Sequence, residues 1–211
     1  MAPDIREKSM NNPICMIVPG LDNSGPDHWQ TLWEARRDDC RRVDLECWSD
    51  PSPSHWLRRL DTAVRSSPAP MILVAHSLGC LTVAHWVQAG GDVSQVASAL
   101  LVGPPDAERA DALPAVRRFA PAPKISLPFP SLVVASRDDP YADFAASAAL
   151  AEAWGSRLVD VGHCGHINAA SRLYDWPEGE ALLEQLRGAD MTGVSGTDTS
   201  ERQPHARIIA P

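Results

Sequence analysis

The stretch Met71-Ile72-Leu73-Val74-Ala75-His76-Ser77-Leu78-Gly79-Cys80 runs an apolar segment directly into a serine that lies between small residues. The apolar segment is typical of a buried strand, and the residues after the serine are typical of a helix start. Ala75 and Gly79 are small enough for the tight strand-to-helix turn known as a nucleophile elbow, although glycine is commoner at the position of Ala75. Such a turn holds the hydroxyl group of Ser77 clear of the backbone, so the stretch predicts Ser77 as a nucleophile.

Further apolar runs alternate with helical patterns along the chain. The runs predict strands at 14–18, 43–45, 71–75, 96–102, 131–135 and 158–161. The periodic segments between them predict helices at 27–34, 53–64, 78–87, 142–154 and 177–187. Because parallel strands are joined through crossover helices, we expect an α/β fold, a three-layer sandwich with a mostly parallel sheet of about six strands and helices on both faces.

The length of 211 residues suits one domain. Residues 1–12 are polar and are expected to form a flexible N-terminus, whereas residues 13–187 carry the predicted strands and helices. Residues 188–211 are rich in Gly, Ser, Thr and Asp without an apolar period, so we expect a disordered C-terminal tail. The proline-rich segment 103–130 is predicted to form a modest cap over the domain.

Composition argues against several classes of protein. A formal net charge of −8 without a basic run argues against a nucleic-acid partner. No segment has the length of a bilayer span, and the charged N-terminus does not fit a signal peptide. The five cysteines are odd in number and lack metal-type spacing, which indicates free thiols in a cytoplasmic protein with no metal or other cofactor. The sequence identifies no protein partner.

Acidic and histidine residues follow two of the later predicted strands. Asp138 and Asp139 come after the run 131–135, and His163 and His166 come after the run 158–161. The carboxyl ends of parallel strands are where open sheets place catalytic groups. A serine hydroxyl needs an imidazole to take its proton and a carboxylate to orient that imidazole. The chain order Ser, Asp, His is that of the α/β-hydrolases.

The carboxylate and the imidazole each have two candidates in the same loop. We favour Asp139 as the carboxylate because the residue before Pro140 is held extended, and we assign Asp138 to shaping the loop. His166 is favoured over His163 because it follows Gly165 and lies deeper in the loop. We interpret His76 as a packed neighbour of the elbow.

Acyl transfer also needs hydrogen-bond donors for an oxyanion. Leu78 provides the amide after the nucleophile, and Leu21 or Asp22 in the loop after the first strand provides the second. His28 and Trp29 lie just beyond this loop and are candidates for the pocket wall. A role in packing the helix start is the alternative for His28.

Several short motifs together carry a family resemblance. They are Pro19-Gly20 with Ser24, His28-Trp29-Gln30 with Trp33-Glu34, the elbow at 75–79, Asp138-Asp139-Pro140 and Cys164-Gly165-His166. Over roughly residues 14–187 the chain resembles the small serine hydrolases of the YdeN and retinoblastoma-binding protein nine family. The resemblance implies a compact α/β-hydrolase with a triad of Ser77, Asp139 and His166 that acts as an esterase or a related hydrolase.

These observations predict a serine hydrolase that cleaves a small-molecule carboxylic ester through an acyl-enzyme, without a metal. Thioesters, small amides and acyl transfer to an acceptor other than water need the same groups. The alternative from a different class is a hydrolase-fold protein-interaction module with little or no turnover.

Overall fold

The structure is a computed structural model that describes residues 13–188. The expected flexible N-terminus at 1–12 lies outside the described residues. The expected disordered tail lies outside them as well, except for Gly188, which is the last residue of the final helix.

Six strands form one sheet in the order β2-β1-β3-β4-β5-β6, and every neighbouring pair is parallel. The mostly parallel sheet of about six strands that the apolar runs predict is therefore confirmed. The strands are β1 (Ile14–Val18), β2 (Cys40–Arg42), β3 (Met71–His76), β4 (Val96–Val102), β5 (Ser131–Ala135) and β6 (Arg157–Asp160).

Helices join the strands and cover the sheet. They are α1 (Trp29–Arg36), α2 (Pro53–Arg65), α3 (Leu78–Gln88), α4 (Pro114–Arg117), α5 (Phe144–Trp154) and α6 (Pro177–Gly188). Two short 3₁₀ helices, Val93–Gln95 and Ala169–Ser171, complete the regular structure of the described residues.

The core lies on both faces of the sheet because side chains along a strand alternate between its faces. Leu73 and Ala75 of β3 pack on one face with buried side chains of α2, α3 and α5. Ile72 and Val74 pack on the other face with buried side chains of α1 and α6. The three-layer α/β-hydrolase-like sandwich expected from the sequence is the observed architecture.

The second strand lies earlier than the sequence predicts. It is Cys40–Arg42, whereas the expectation was 43–45. Val43 and Leu45 follow the strand and are buried in the core with residues of α2, which explains their apolar character. The amide of Val43 still donates to the carbonyl of Ile17 at 2.9 Å. The strand itself contains two arginines, which it tolerates because it lies at the sheet edge and has a partner strand on one side only.

The strand order creates a crevice at the carboxyl ends of β1 and β3. From β1 the chain moves to β2 on one side, and it then crosses through α2 to β3 on the other side. Loops diverge at such a switch point and leave room for a ligand. The loop after β1 and the elbow after β3 meet there, and Gly79 allows their close approach. A β-carbon at Gly79 would lie 2.3 Å from the carbonyl oxygen of Val18 and 2.7 Å from that of Pro19.

We expect Gly79→Ala to lower the free energy of unfolding by about 2 kcal/mol or more, because its methyl group would overlap main-chain atoms that sheet pairing holds in place. Helix propensity alone predicts the opposite sign, since alanine is favoured over glycine inside a helix by about 1 kcal/mol. Urea unfolding at an unchanged m-value measures the difference.

Gly25→Ala is the matched control, because a β-carbon at Gly25 meets no atom within 4 Å. Its stability should stay within about 0.5 kcal/mol of the parent protein. A Gly79→Ala protein as stable as the Gly25→Ala protein would show that the elbow does not depend on this contact.

Candidate active site

Ser77 sits at a strained junction between β3 and α3. Its backbone has φ 53° and ψ −125°, a combination that costs a non-glycine residue about 1–3 kcal/mol. The junction is held from both sides, because β3 is buried along its whole length and the amide of Ser77 donates to the carbonyl of Val102 at 2.8 Å. The strand-to-helix turn expected at Ser77 is therefore present.

The structure brings Ser77, His166 and Asp139 together. The Oγ of Ser77 lies 2.8 Å from Nε2 of His166, and Nδ1 of His166 lies 2.8 Å and 3.0 Å from the two carboxylate oxygens of Asp139. The side chains of His166 and Asp139 are only 8% and 3% exposed. Because an ionised carboxylate accepts hydrogen bonds, Nδ1 must donate, which leaves Nε2 of the neutral ring as the acceptor for the hydroxyl proton.

The other two sequence candidates, Asp138 and His163, contact residues other than Ser77. One carboxylate oxygen of Asp138 accepts from the hydroxyl of Ser136 at 2.7 Å and from the amide of Gly165 at 2.8 Å. The hydrogen bonds from Ser136 and Gly165 hold the pKa of Asp138 below its usual range. His163 is 74% exposed and lies 3.9 Å from the carboxylate of Asp138. Asp138 therefore connects the loop after β5 to the loop after β6.

Tyr141 is a site residue that sequence reasoning missed. Its amide donates to Oδ1 of Asp139 at 2.9 Å. Its ring meets the ring of His166 edge to face, with centroids 4.6 Å apart. Tyr141 therefore contacts both the carboxylate of Asp139 and the imidazole of His166. The only signal for it in the sequence is its position directly after Asp139-Pro140.

The loop after β1 offers one amide donor rather than two alternatives. A β-carbon at Gly20 would lie 2.8 Å from the β-carbon of Ser77, so glycine lets this loop touch the elbow. The amide of Asp22 already donates to the carbonyl of Trp48 at 3.0 Å. The expectation that Asp22 could serve as an oxyanion donor is therefore wrong. The amides of Leu21 and Leu78 have no acceptor within residues 13–188 and remain free to bind an oxyanion.

His28 both begins α1 and lines the cavity beside Ser77. Its Nδ1 accepts from the amide of Gln30 at 3.1 Å, as an N-cap side chain does. Burial, with smaller contributions from Arg42 and His166, lowers the pKa of His28 to about 3. The ring is thus neutral near pH 7, and the two alternatives that the sequence left open are both observed.

Trp29 does not line the cavity, and the expectation that it walls the pocket is wrong. It is 1% exposed and lies on the core side of α1, with its ring 4.8 Å from that of Trp33 and 4.9 Å from that of Trp176. Its Nε1 donates to the carbonyl of Ile167 at 2.8 Å. Trp29 therefore supports the backbone directly after His166.

His76 forms a contact that its interpretation as a packed neighbour did not include. Its Nε2 lies 3.0 Å from the carbonyl oxygen of His166 and must donate, because a carbonyl only accepts. Burial, followed by the neighbouring His28 and His166, keeps the pKa of His76 well below its usual value. The neutral ring of His76 thus fixes the main chain of His166 through this hydrogen bond.

A cavity of about 180 Å³ opens beside Ser77. One part of its wall is apolar, and the cap segment 103–130 supplies most of it. The other part presents amide, carboxylate and imidazole groups. The lining residues are Leu21, Asp22, Asn23, His28, His76, Ser77, Pro105, Leu113, Val116, Tyr141, His166 and Asn168. A small carbonyl compound in this cavity would lie beside the hydroxyl of Ser77, the imidazole of His166 and the free amide of Leu21.

Two kinds of feature are absent from the described residues. In residues 13–188, no three His, Cys, Asp or Glu side chains are grouped closely enough to hold a metal ion. Among the helices of the same residues, none combines the length and the apolar character that a bilayer crossing requires.

Comparison with known proteins places these features in a family. A family model described as serine hydrolase matches residues 15–185. A protein described as a YdeN-like hydrolase from Pectobacterium atrosepticum is 31% identical, with a TM-score of 0.76 over 87% of this chain and 94% of that chain. These two matches confirm the resemblance to YdeN-like hydrolases. No curated protein sequence matches the chain.

More distant solved structures share the fold. The ydeN gene product from B. subtilis is 22% identical, with a TM-score of 0.67 over 82% of this chain and 98% of that chain. Est1E from Butyrivibrio proteoclasticus is 16% identical, with a TM-score of 0.62 over 86% of this chain and 91% of that chain. At these identities the two structures bear on the architecture alone.

The lowered pKa of His28 predicts a pH-dependent loss of stability. An unfolded histidine binds a proton below about pH 6.5, whereas folded His28 does so only near pH 3, so the free energy of unfolding falls as the pH drops between these values. His28 accounts for a loss of about 2 kcal/mol between about pH 7.5 and about pH 5. Urea unfolding at the two pH values measures it.

His28→Asn is the informative variant, because asparagine can still accept from the amide of Gln30 at the helix start but does not titrate. Its loss of stability over the same pH interval should be smaller than that of the parent protein by about 2 kcal/mol. Equal losses in the two proteins would contradict the buried, neutral state of His28.

Proposed function

The chain belongs to the serine hydrolase family, and from that premise we propose that it hydrolyses small carboxylic esters through an acyl-enzyme intermediate. In this proposal Ser77 is the nucleophile, His166 transfers the proton, and Asp139 orients and stabilises the imidazole. The observation that carries it is the pair of 2.8 Å contacts from Ser77 to His166 and from His166 to Asp139.

In the first half of the reaction the hydroxyl of Ser77 attacks the carbonyl carbon of the ester. Nε2 of His166 takes the hydroxyl proton as the new carbon–oxygen bond forms. The carbonyl oxygen becomes an oxyanion and accepts hydrogen bonds from the amides of Leu21 and Leu78. The imidazolium then gives its proton to the alcohol oxygen, the ester bond breaks, and the alcohol leaves.

In the second half a water molecule takes the place of the alcohol. His166 removes one proton from the water as its oxygen attacks the acyl carbon, and the same two amides bind the second oxyanion. Collapse of this intermediate breaks the bond to Ser77, whose oxygen regains the proton from His166. The products are a carboxylic acid and the original enzyme.

Burial of the carboxylate supports this assignment. Asp139 is almost shielded from water, so its charge is stabilised most when His166 becomes positively charged during the reaction. The amide of Tyr141 fixes one carboxylate oxygen, and His76 fixes the main chain of His166. These contacts reduce the rearrangement that proton transfer requires.

Cavity size and lining support a small substrate with an apolar part. The cavity holds about 180 Å³, and Pro105, Leu113 and Val116 present apolar surface to it. An acyl chain of a few carbons is the chemical match for this surface. Thioesters and small amides undergo the same steps. Esters are proposed ahead of amides because an alcohol leaves more readily than an amine.

Replacing the nucleophile or the base tests the assignment directly. We expect the parent protein to react with a fluorophosphonate probe at Ser77 and to hydrolyse p-nitrophenyl butyrate faster than the laurate ester. Ser77→Ala and His166→Ala should each lower kcat by about 10³-fold or more, because each removes a member of one catalytic unit. Mass spectrometry of the labelled peptide and absorbance at the nitrophenolate band give the readouts.

His163→Ala is the matched control for His166→Ala and should keep both labelling and turnover, since His163 is exposed and does not line the cavity beside Ser77. A folded parent protein that neither reacts with the probe nor cleaves any ester would overturn the proposal. That outcome would favour the protein-interaction module, in which the three side chains persist without turnover.

The adjacent aspartates should differ in effect. Asp139→Asn leaves the size of the side chain unchanged but removes the charge that stabilises the imidazolium, so kcat should fall by about 10³- to 10⁴-fold with little change in KM. Asp138→Asn keeps an oxygen that can accept from Gly165 and Ser136, so its kcat should fall less than about tenfold. Steady-state kinetics on p-nitrophenyl butyrate measures both, and equal losses would contradict the assignment of Asp139.

A further inference from the structure

We propose that this site selects esters by charge, accepting neutral and cationic esters and discriminating against esters that carry a carboxylate near the scissile bond. The inference rests on the proposed ester hydrolysis at Ser77 and adds the chemical class of its substrate. It comes from the charged groups in and around the cavity.

Within residues 13–188, no lysine or arginine lines the cavity to bind an anionic substrate. Among its lining residues in the described part of the chain, Asp22 is the only carboxylate, and this residue is exposed to solvent. Of the three lining imidazoles, burial keeps His28 and His76 neutral near pH 7 by lowering their pKa values. A substrate therefore meets one carboxylate, that of Asp22, among the residues of the cavity wall.

The main chain holds Asp22 in this position. The amide of Asp22 donates to the carbonyl of Trp48 at 3.0 Å, and its backbone has φ 61°. Asp22 directly follows Leu21, whose free amide is a proposed oxyanion donor. The carboxylate is thus tied to the loop that binds the reacting end of the ester, and it stays near any substrate that is in position to react.

No cation in the described residues neutralises this carboxylate. Within residues 13–188, no Lys, Arg or His nitrogen lies within 4.0 Å of the carboxylate of Asp22. The guanidinium of Arg42, on the neighbouring strand, instead pairs with Glu34 at 2.8 Å and donates to the side chain of Asn23 at 2.9 Å. Arg42 is therefore already paired with a carboxylate other than that of Asp22.

In the groove that continues from the cavity, the one arginine among the described residues is already paired with a carboxylate. Arg109 lines this groove, and both ends of its guanidinium donate to the carboxylate of Asp111 at 2.9 Å. It also donates to the carbonyl of Pro140 at 3.1 Å. A longer anionic substrate would find no free cation there either.

Electrostatics sets the expected size of the effect. Two like charges about 6 Å apart, at an effective dielectric constant between those of a protein surface and water, repel each other enough to change a rate about tenfold. The same field attracts a cationic ester. The effect of Asp22 on the oxyanion itself is common to all esters and cancels when esters are compared.

Three p-nitrophenyl esters of similar length test the proposal: pentanoate, which is neutral, hydrogen glutarate, which is anionic, and γ-trimethylammonium butyrate, which is cationic. In the parent protein, kcat/KM should be about tenfold lower for the anionic ester than for the neutral one, and highest for the cationic one. High salt should reduce these ratios, because it screens exposed charges.

Asp22→Asn should bring the three kcat/KM values together, raising the anionic ester relative to the neutral one by about fivefold to tenfold. Asparagine tolerates the positive φ at this position, so the loop is retained. The control is Asp27→Asn, which removes an equal charge from an exposed residue of the same loop outside the cavity lining and should leave the ratios unchanged.

The outcomes separate the two proposals. Equal kcat/KM for the anionic and neutral esters in the parent protein, or ratios that Asp22→Asn does not change, would overturn selection by charge while leaving ester hydrolysis intact. Failure of the parent protein to cleave any of the three esters would overturn ester hydrolysis and selection by charge together.

Discussion

The strained turn at Ser77 is the constraint on which the rest of the site depends. A serine with positive φ persists only where its surroundings over-determine its backbone, and here two packed elements do so. Strand β3 lies between β1 and β4 and is buried along its length, while α3 starts against the carbonyls at the end of β1. The free energy of core packing therefore holds one hydroxyl group in a fixed direction.

The loop that carries His166 is held by three different elements at three successive residues. Asp138, after β5, accepts from the amide of Gly165, and His76, at the end of β3, donates to the carbonyl of His166. Trp29, on α1, donates to the carbonyl of Ile167. Main-chain hydrogen bonds on both sides of a side chain restrict its position more than contacts to the side chain alone. The imidazole is thus directed at the serine before any substrate binds.

Sequence patterns predicted what local chemistry determines and missed what distant contacts determine. The sequence predicts the buried central strands closely because they are continuous apolar runs. It places β2 too late in the chain, because an edge strand tolerates polar residues such as Arg41. The sequence places Trp29 wrongly, because helical spacing does not tell whether a residue next to a pocket faces the pocket or the core. The engagement of the Asp22 amide depends on the carbonyl of Trp48, far along the chain, which no local pattern reveals.

A crystal structure of the protein inactivated by a fluorophosphonate tests most directly whether Ser77, His166 and the two free amides converge on one acyl centre. The account predicts phosphorus bonded to Oγ of Ser77, with the phosphoryl oxygen about 3 Å from the amide nitrogens of both Leu21 and Leu78. A phosphoryl oxygen directed away from these amides, or an adduct on another residue, would contradict it.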